Sequence, residues 1–311
     1  MMQLAETVVV FGATGNTGRR VAEGLLAAGR RVRVVGRSRE KLAPFVQRGA
    51  EAFATTATDT PAIARALDGA TAAYVMVPPI DYANPQCDLD LPDAISESLV
   101  AAIRGSGVPF VVNLSSLGAD RPDMMEQVDS LRRHEQRLRT IPSLHVVHLR
   151  PGLFMEGLLE QVPTVVEGGF FAYPLDPGVR IPMIAAEDIA AAGLERLLAL
   201  DFRGESAIEL PGPRDVSMGE AAGILGRAAG IADLPYLQIP FDQFRWSLQQ
   251  LGVRPDVAEI LVETNQFLND GRFQPTNPRT SAVTRMTTIE AFASTFATRV
   301  AEYRSTAVKC V

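Results

Sequence analysis

Val8-Val9-Val10-Phe11-Gly12-Ala13-Thr14-Gly15-Asn16-Thr17-Gly18 is the stretch on which the fold turns. Its first four residues read as a buried strand. Glycines spaced G-x-x-G-x-x-G follow, and a helix over about Asn16–Ala28 opens directly from them, with Val21, Leu25 and Ala28 on one face and Gly29 as its stop. Glycines at this spacing permit a tight turn and bring backbone N–H groups close to a pyrophosphate. The helix N-terminus adds partial positive charge at the same point. A strand before the glycines and a helix after them is the context a dinucleotide loop requires. Gly12, Thr14, Gly15, Asn16, Thr17 and Gly18 are therefore candidate cofactor contacts.

Working outward, apolar runs alternate with helical stretches. Strands are expected at Val32–Val35, Glu51–Thr56, Ala73–Val77, Phe110–Leu114 and His145–Leu149. Helices are expected at Glu40–Arg48, Pro61–Leu67, Leu91–Arg104 and Met124–Arg139. Continuously apolar strands joined by helices indicate a parallel sheet covered on both faces. The expected fold is α/β, a doubly wound parallel-sheet Rossmann domain with a smaller, mostly helical C-terminal subdomain. Residues 1–151 and about 185–215 form the dinucleotide-binding domain in this reading. About 152–184 and 216–311 form the substrate-side subdomain.

Composition narrows the function classes. Of 311 residues, 47% are hydrophobic and 21% charged, which suits a packed core. The net charge of −6 gives no indication of a nucleic-acid surface, and no apolar run is long enough to span a bilayer. Met1–Glu6 has no basic stretch leading into an apolar one, so no signal peptide is expected. Cys87 and Cys310 cannot build a disulfide framework or a Cys-based zinc site. A reducing, cytoplasmic compartment is the expectation, with no metal.

The end of the second strand selects the cofactor. An acidic residue there would bond the ribose hydroxyls of NAD, but the sequence has Gly36-Arg37-Ser38-Arg39 with Lys41 beyond. Arginine's planar fork suits a 2′-phosphate. NADP(H) is thus preferred over NAD(H), with Arg37 as the main contact and Lys41 beside it, unless the cluster is simply a solvated face. Asp59 can meet the adenine edge or cap the helix beginning at Thr60-Pro61.

These segments, with Asn113-Leu114-Ser115-Ser116-Leu117-Gly118 and Leu149-Arg150-Pro151-Gly152-Leu153-Phe154-Met155-Glu156, resemble the NmrA-like family of atypical short-chain dehydrogenase/reductase relatives. The resemblance runs in order through the first ~190 residues. It implies a nicotinamide cofactor. It also implies either an NADPH-dependent reductase of quinones or azo dyes, or a cofactor-sensing regulator with a protein partner.

The usual Tyr-x-x-x-Lys catalyst cannot be built. Lysine occurs only at Lys41 and Lys309, preceded at four residues by Arg37 and Ser305. Leu131 stands where some relatives carry a basic residue. His134 is the nearest proton donor on that helix, unless it only satisfies a local hydrogen bond. His145 and His148, on the sixth strand, read as structural. Quinone reduction asks for less: a flat apolar slot over the nicotinamide. Val77, Pro78, Pro79, Ile80, Tyr82, Leu117, Phe154 and Met155 are its candidates, although Phe154 and Met155 read equally well as core. Val77 and Pro78 are also expected to touch the cofactor. Ser115 can bond the nicotinamide ribose or the substrate, and Pro151 and Gly152 the carboxamide through their backbone. Gly157 offers nothing where some relatives present an asparagine. The expected partner is a small-molecule acceptor, with a homodimer or a regulatory protein partner also compatible. An epimerase or other biosynthetic oxidoreductase is disfavoured because it needs an acid/base pair that is not found.

Overall fold

A computed structural model describes residues 6–82, 84, 86–280 and 286–308. Lys309 and Cys310 lie outside the described residues. Strands β1 (Thr7–Phe11), β2 (Arg31–Gly36), β3 (Glu51–Ala54), β4 (Ala72–Met76), β5 (Phe110–Leu114) and β6 (His145–Pro151) alternate with helices α1 (Asn16–Ala27), α2 (Arg39–Val46), α3 (Thr60–Leu67), α4 (Leu91–Ser106) and α5 (Glu126–Arg139). The main sheet has seven strands in the order β10-β6-β5-β4-β1-β2-β3, where β10 is Glu205–Leu210. Every pairing in it is parallel.

The sheet is buried on both faces, as near-continuous apolar strands require. Val8, Val10, Tyr74, Val112, Val147 and Leu149 face α1, α2 and α6 (Ala186–Ala199). Val9, Val75, Val111 and Val146 face α3, α4 and α5. The strand order reverses between β1 and β4. The loops leaving those two strands therefore part at the C-terminal edge and open a crevice there.

Between β6 and α6 the chain leaves the sheet. The residues there form β7 (Leu153–Phe154), β8 (Phe171–Tyr173) and β9 (Arg180–Ile184). β9 pairs with β7 and with β11 (Asp215–Ser217), and β8 pairs with β12 (Tyr236–Gln238). The second subdomain is thus less purely helical than its sequence suggests. Strands of two to five residues are too short to show a period. Helices α7 (Met218–Ala228), α8 (Phe241–Gln250), α9 (Pro255–Asn269) and α10 (Ile289–Val308) complete it. Its core gathers Met155, Phe171, Met183, Leu225 and Phe296. Among the described residues no helix is long and apolar enough to cross a membrane.

Candidate active site

The glycine loop sits at the sheet's switch point. Gly12 adopts φ +64°, and a Cβ there would lie 2.6 Å from the Met76 sulfur at the end of β4. A Cβ on Gly18 would lie 2.4 Å from the Gly12 carbonyl oxygen, so the first turn of α1 rests directly on the strand end. Thr14, Gly15 and Asn16 are exposed, while Thr17 and Gly18 are buried. The Tyr74 hydroxyl donates to Thr17 Oγ1 at 3.0 Å and pins this turn to β4. Gly15 occupies the N-cap with no side-chain bond, and no acidic residue stands in the first turn. The leading N–H groups of α1 are left for an anion.

A recess of about 410 Å³ adjoins the loop, lined by Thr14, Arg19, Glu23, Lys41, Pro44, Phe45 and Arg48. Three cations face one carboxylate, and Glu23 bridges Arg19 and Arg48 at 3.4 and 3.7 Å. Thr14 and Lys41 thus meet in one basic hollow. Arg37 is exposed just past the end of β2, outside the residues lining it. Asp59 takes the capping role: its carboxylate accepts from the Ala62 N–H at 3.0 Å.

Deeper in the crevice the sequence expectations divide. Pro78 and Pro79 are exposed after β4, and Ile80 and Tyr82 pack against the cluster of Cys87, Val253, Val257 and Ala258, the last two on α9. Burial pushes the Tyr82 hydroxyl above the usual phenol range. Val77 is buried, and Phe154 is partly buried against the sheet core. Leu117 (0% exposed) and Met155 (1%) are core residues of the second subdomain rather than slot lining. Apolar pattern alone cannot separate a pocket wall from a packed interior. The backbone of Pro151 and Gly152 is already engaged: Leu117 N donates to the Pro151 carbonyl, and Gly152 N to that of Leu210. The Gly152 N–H is thereby spent, while the Pro151 carbonyl keeps its second lone pair. Glu156 closes the motif by accepting from the Ala186 N–H at 3.0 Å, which caps α6 across the chain.

His134 does not fit the role of proton donor. It is 0% exposed, packed between α4 and α5, with Nδ1 2.8 Å from the Ser96 hydroxyl. Burial, then His148 and Arg137, push its pKa down to about 3. It is therefore neutral at any working pH and out of reach of a ligand. The sign of the linkage follows. The unfolded chain takes up a proton near pH 6.5 that the folded chain refuses, so stability falls as pH drops from about 6.5 toward 3. By pH 5 this one group costs about 2 kcal/mol. His134→Leu is expected to flatten the decline of the urea midpoint between pH 7 and 5. An unchanged slope would refute this account.

A buried ion pair went unread in the sequence. Glu135, 2% exposed on α5, accepts from Arg150 Nε at 3.1 Å and Nη2 at 2.7 Å. The Ser115 hydroxyl donates to the same carboxylate at 2.6 Å. Burial works against the charge on Arg150, but its bonds to Glu135 outweigh that and hold its pKa above the ordinary value. Asn113, two residues back on β5, meets His148 Nδ1 at 3.0 Å. The available signal was a charged residue at the end of an apolar strand, Arg150, which has to find an acid when buried.

The profile of the NmrA-like family matches residues 5–304. The chain belongs to the NmrA-like family. Its curated relatives include an NAD(P)H azoreductase of Xenophilus azovorans, 26% identical over 258 residues, 82% of this chain and 85% of that one. A (4-alkanoyl-5-oxo-2,5-dihydrofuran-3-yl)methyl phosphate reductase of Streptomyces griseus is 27% identical over 264 residues, 85% and 88% of the two chains. Among solved structures, an NADPH-dependent quinone oxidoreductase of Escherichia coli in complex with NADPH superposes with a TM-score of 0.77 at 20% identity, over 93% of this chain and 99% of that one. That likeness is one of fold, and it extends the NmrA-like architecture through the second subdomain.

Proposed function

We propose that this NmrA-like protein is an NADPH-dependent reductase of quinone-like or other conjugated small-molecule acceptors, acting by direct hydride transfer. One observation carries the reading: the Gly12–Gly18 turn, closed so tightly that a Cβ at Gly18 would strike the Gly12 carbonyl, opens onto an uncapped helix N-terminus. That donor set fits a pyrophosphate. Arg37 and the hollow holding Lys41 offer cations for a 2′-phosphate. NADPH, when bound, supplies the hydride. The chain's own residues bind, orient and exclude water. In this reading Pro78, Pro79 and Tyr82, which follow β4, supply the apolar wall beside the nicotinamide. Neither of the two buried candidates gives a proton: His134 is enclosed and the Ser115 proton is committed to Glu135. The acceptor's proton comes from water.

A spectrophotometric assay with quinones, azo dyes and enals tests this, with NADPH binding verified in parallel. Acceptor-dependent oxidation that is lost in an Arg37→Ala/Gly15→Val variant is the expected result. Tight binding with no turnover across the panel would favour the cofactor-sensing regulator instead. A separate titration bears on cofactor choice. Arg37→Ala/Lys41→Ala is expected to reduce the preference for NADPH over NADH at least about tenfold, the scale of one charge-assisted contact. An unchanged ratio would place the 2′-phosphate elsewhere.

A further inference from the structure

We propose that Glu135, held by Arg150, is a positioning residue that makes Ser115 a hydrogen-bond acceptor only, tuned to a donor on the nicotinamide half of the cofactor. The inference rests on the cofactor reading above. A serine hydroxyl has one proton and two lone pairs. Here the proton is spent. The 2.6 Å distance to Glu135 Oε1 lies in the short range of an O–H···O⁻ bond. An ionised carboxylate has no proton to return, and Arg150 has only donors. The direction of the Ser115–Glu135 bond is therefore fixed from below. What Ser115 still offers is lone pairs.

Its position gives that polarity a use. Ser115 directly follows β5, at the C-terminal edge of the sheet, where ligands of doubly wound folds lie. Ser115 N donates to the Leu149 carbonyl and Leu117 N to that of Pro151, so the backbone carrying the hydroxyl cannot swing away. Ser115 is only 5% exposed, which suits one ligand group rather than bulk water. Ribose hydroxyls and the carboxamide NH₂ are the donors that the nicotinamide half carries. Substituting Glu135→Gln releases the device. Whichever way the amide is turned, its NH₂ meets an Arg150 N–H, so the Ser115 hydroxyl is no longer held in one direction from below.

The test compares NADPH with 2′,5′-ADP, which carries the adenosine phosphates and lacks the nicotinamide half. Fluorescence titration of wild type, Ser115→Ala, Glu135→Gln and the double variant gives the dissociation constants. Each single change is expected to weaken NADPH about tenfold and to leave 2′,5′-ADP within about twofold. The double variant is expected to be no weaker than the singles, because Glu135 acts through Ser115. Equal weakening of both ligands by Glu135→Gln would reveal general loosening and overturn the proposal. So would unchanged NADPH affinity in Ser115→Ala, a change that leaves the ion pair in place. Wild type binding neither ligand would overturn the cofactor reading itself, and this inference with it.

Discussion

Arg150→Met is expected to destabilise the protein by about 3–5 kcal/mol, the cost of leaving one member of a buried ion pair without its partner. Methionine fills much of the arginine stem's volume, so packing changes little. The loss is electrostatic: Glu135 keeps the Ser115 hydroxyl but gives up both guanidinium bonds in a site with almost no water. Urea unfolding measures it directly. The companion variant Glu135→Leu/Arg150→Met is expected to recover most of the stability, because an apolar pair carries no desolvation penalty. If Arg150→Met lay within about 1 kcal/mol of wild type, a figure typical of exposed pairs, the pair would be behaving as a surface bridge.

Gly18→Ala is expected to abolish measurable NADPH binding, a fall of at least about a hundredfold, with about 1–3 kcal/mol of lost stability. The added methyl would meet the Gly12 carbonyl oxygen at 2.4 Å, its carbon at 2.7 Å and the Phe11 oxygen at 2.9 Å. All three are backbone atoms, so the strand end and the helix must separate and the N–H cradle with them. Gly15→Ala is the contrasting case. Its nearest neighbour would be the Gly12 oxygen at 3.3 Å, and the residue is exposed. There the fold is expected to keep its melting temperature while binding falls, since the methyl stands where the pyrophosphate approaches. Gly18→Ala binding NADPH like wild type would refute the placement of the cofactor on this turn.

Five of the seven main strands were legible as apolar runs bounded by helix signals, and β5 matches its expected limits, whereas β3 is a short edge strand with exposed ends. In β10 only Ala207–Leu210 reads as a strand from its sequence, because polar Glu205 and Ser206 lead it. The glycine loop was legible for a related reason: its geometry is local, and strand, turn and helix follow one another directly between Thr7 and Ala27. Glu135 and Arg150 were not. Fifteen residues separate them, and they meet only because α5 packs on the face that β6 presents. Sequence gives the helix period and the strand period separately, but not the rotation of one against the other. Leu117 and Met155 show the opposite error, since side chains suited to an acceptor slot are equally suited to a core. Asp59 and His134 each had two readings, and a local bond claimed both: Ala62 N for the first, Ser96 Oγ for the second.

The place of β10 in the sheet has a consequence for the order in which the chain is made. β6 pairs on its outer side with β10 alone, through six register pairs from Glu205↔Val146 to Leu210↔Pro151. Between them the chain builds β7, β8, β9 and α6. On a ribosome, β6 therefore emerges as a bare edge and stays one until Leu210 has followed. During that interval a strand reading His145-Val146-Val147-His148-Leu149 is a template for any extended partner. A fragment ending at Pro151 would hold every residue of the glycine loop and still carry that edge. It is predisposed to aggregate, although its contribution to the cofactor crevice is already complete.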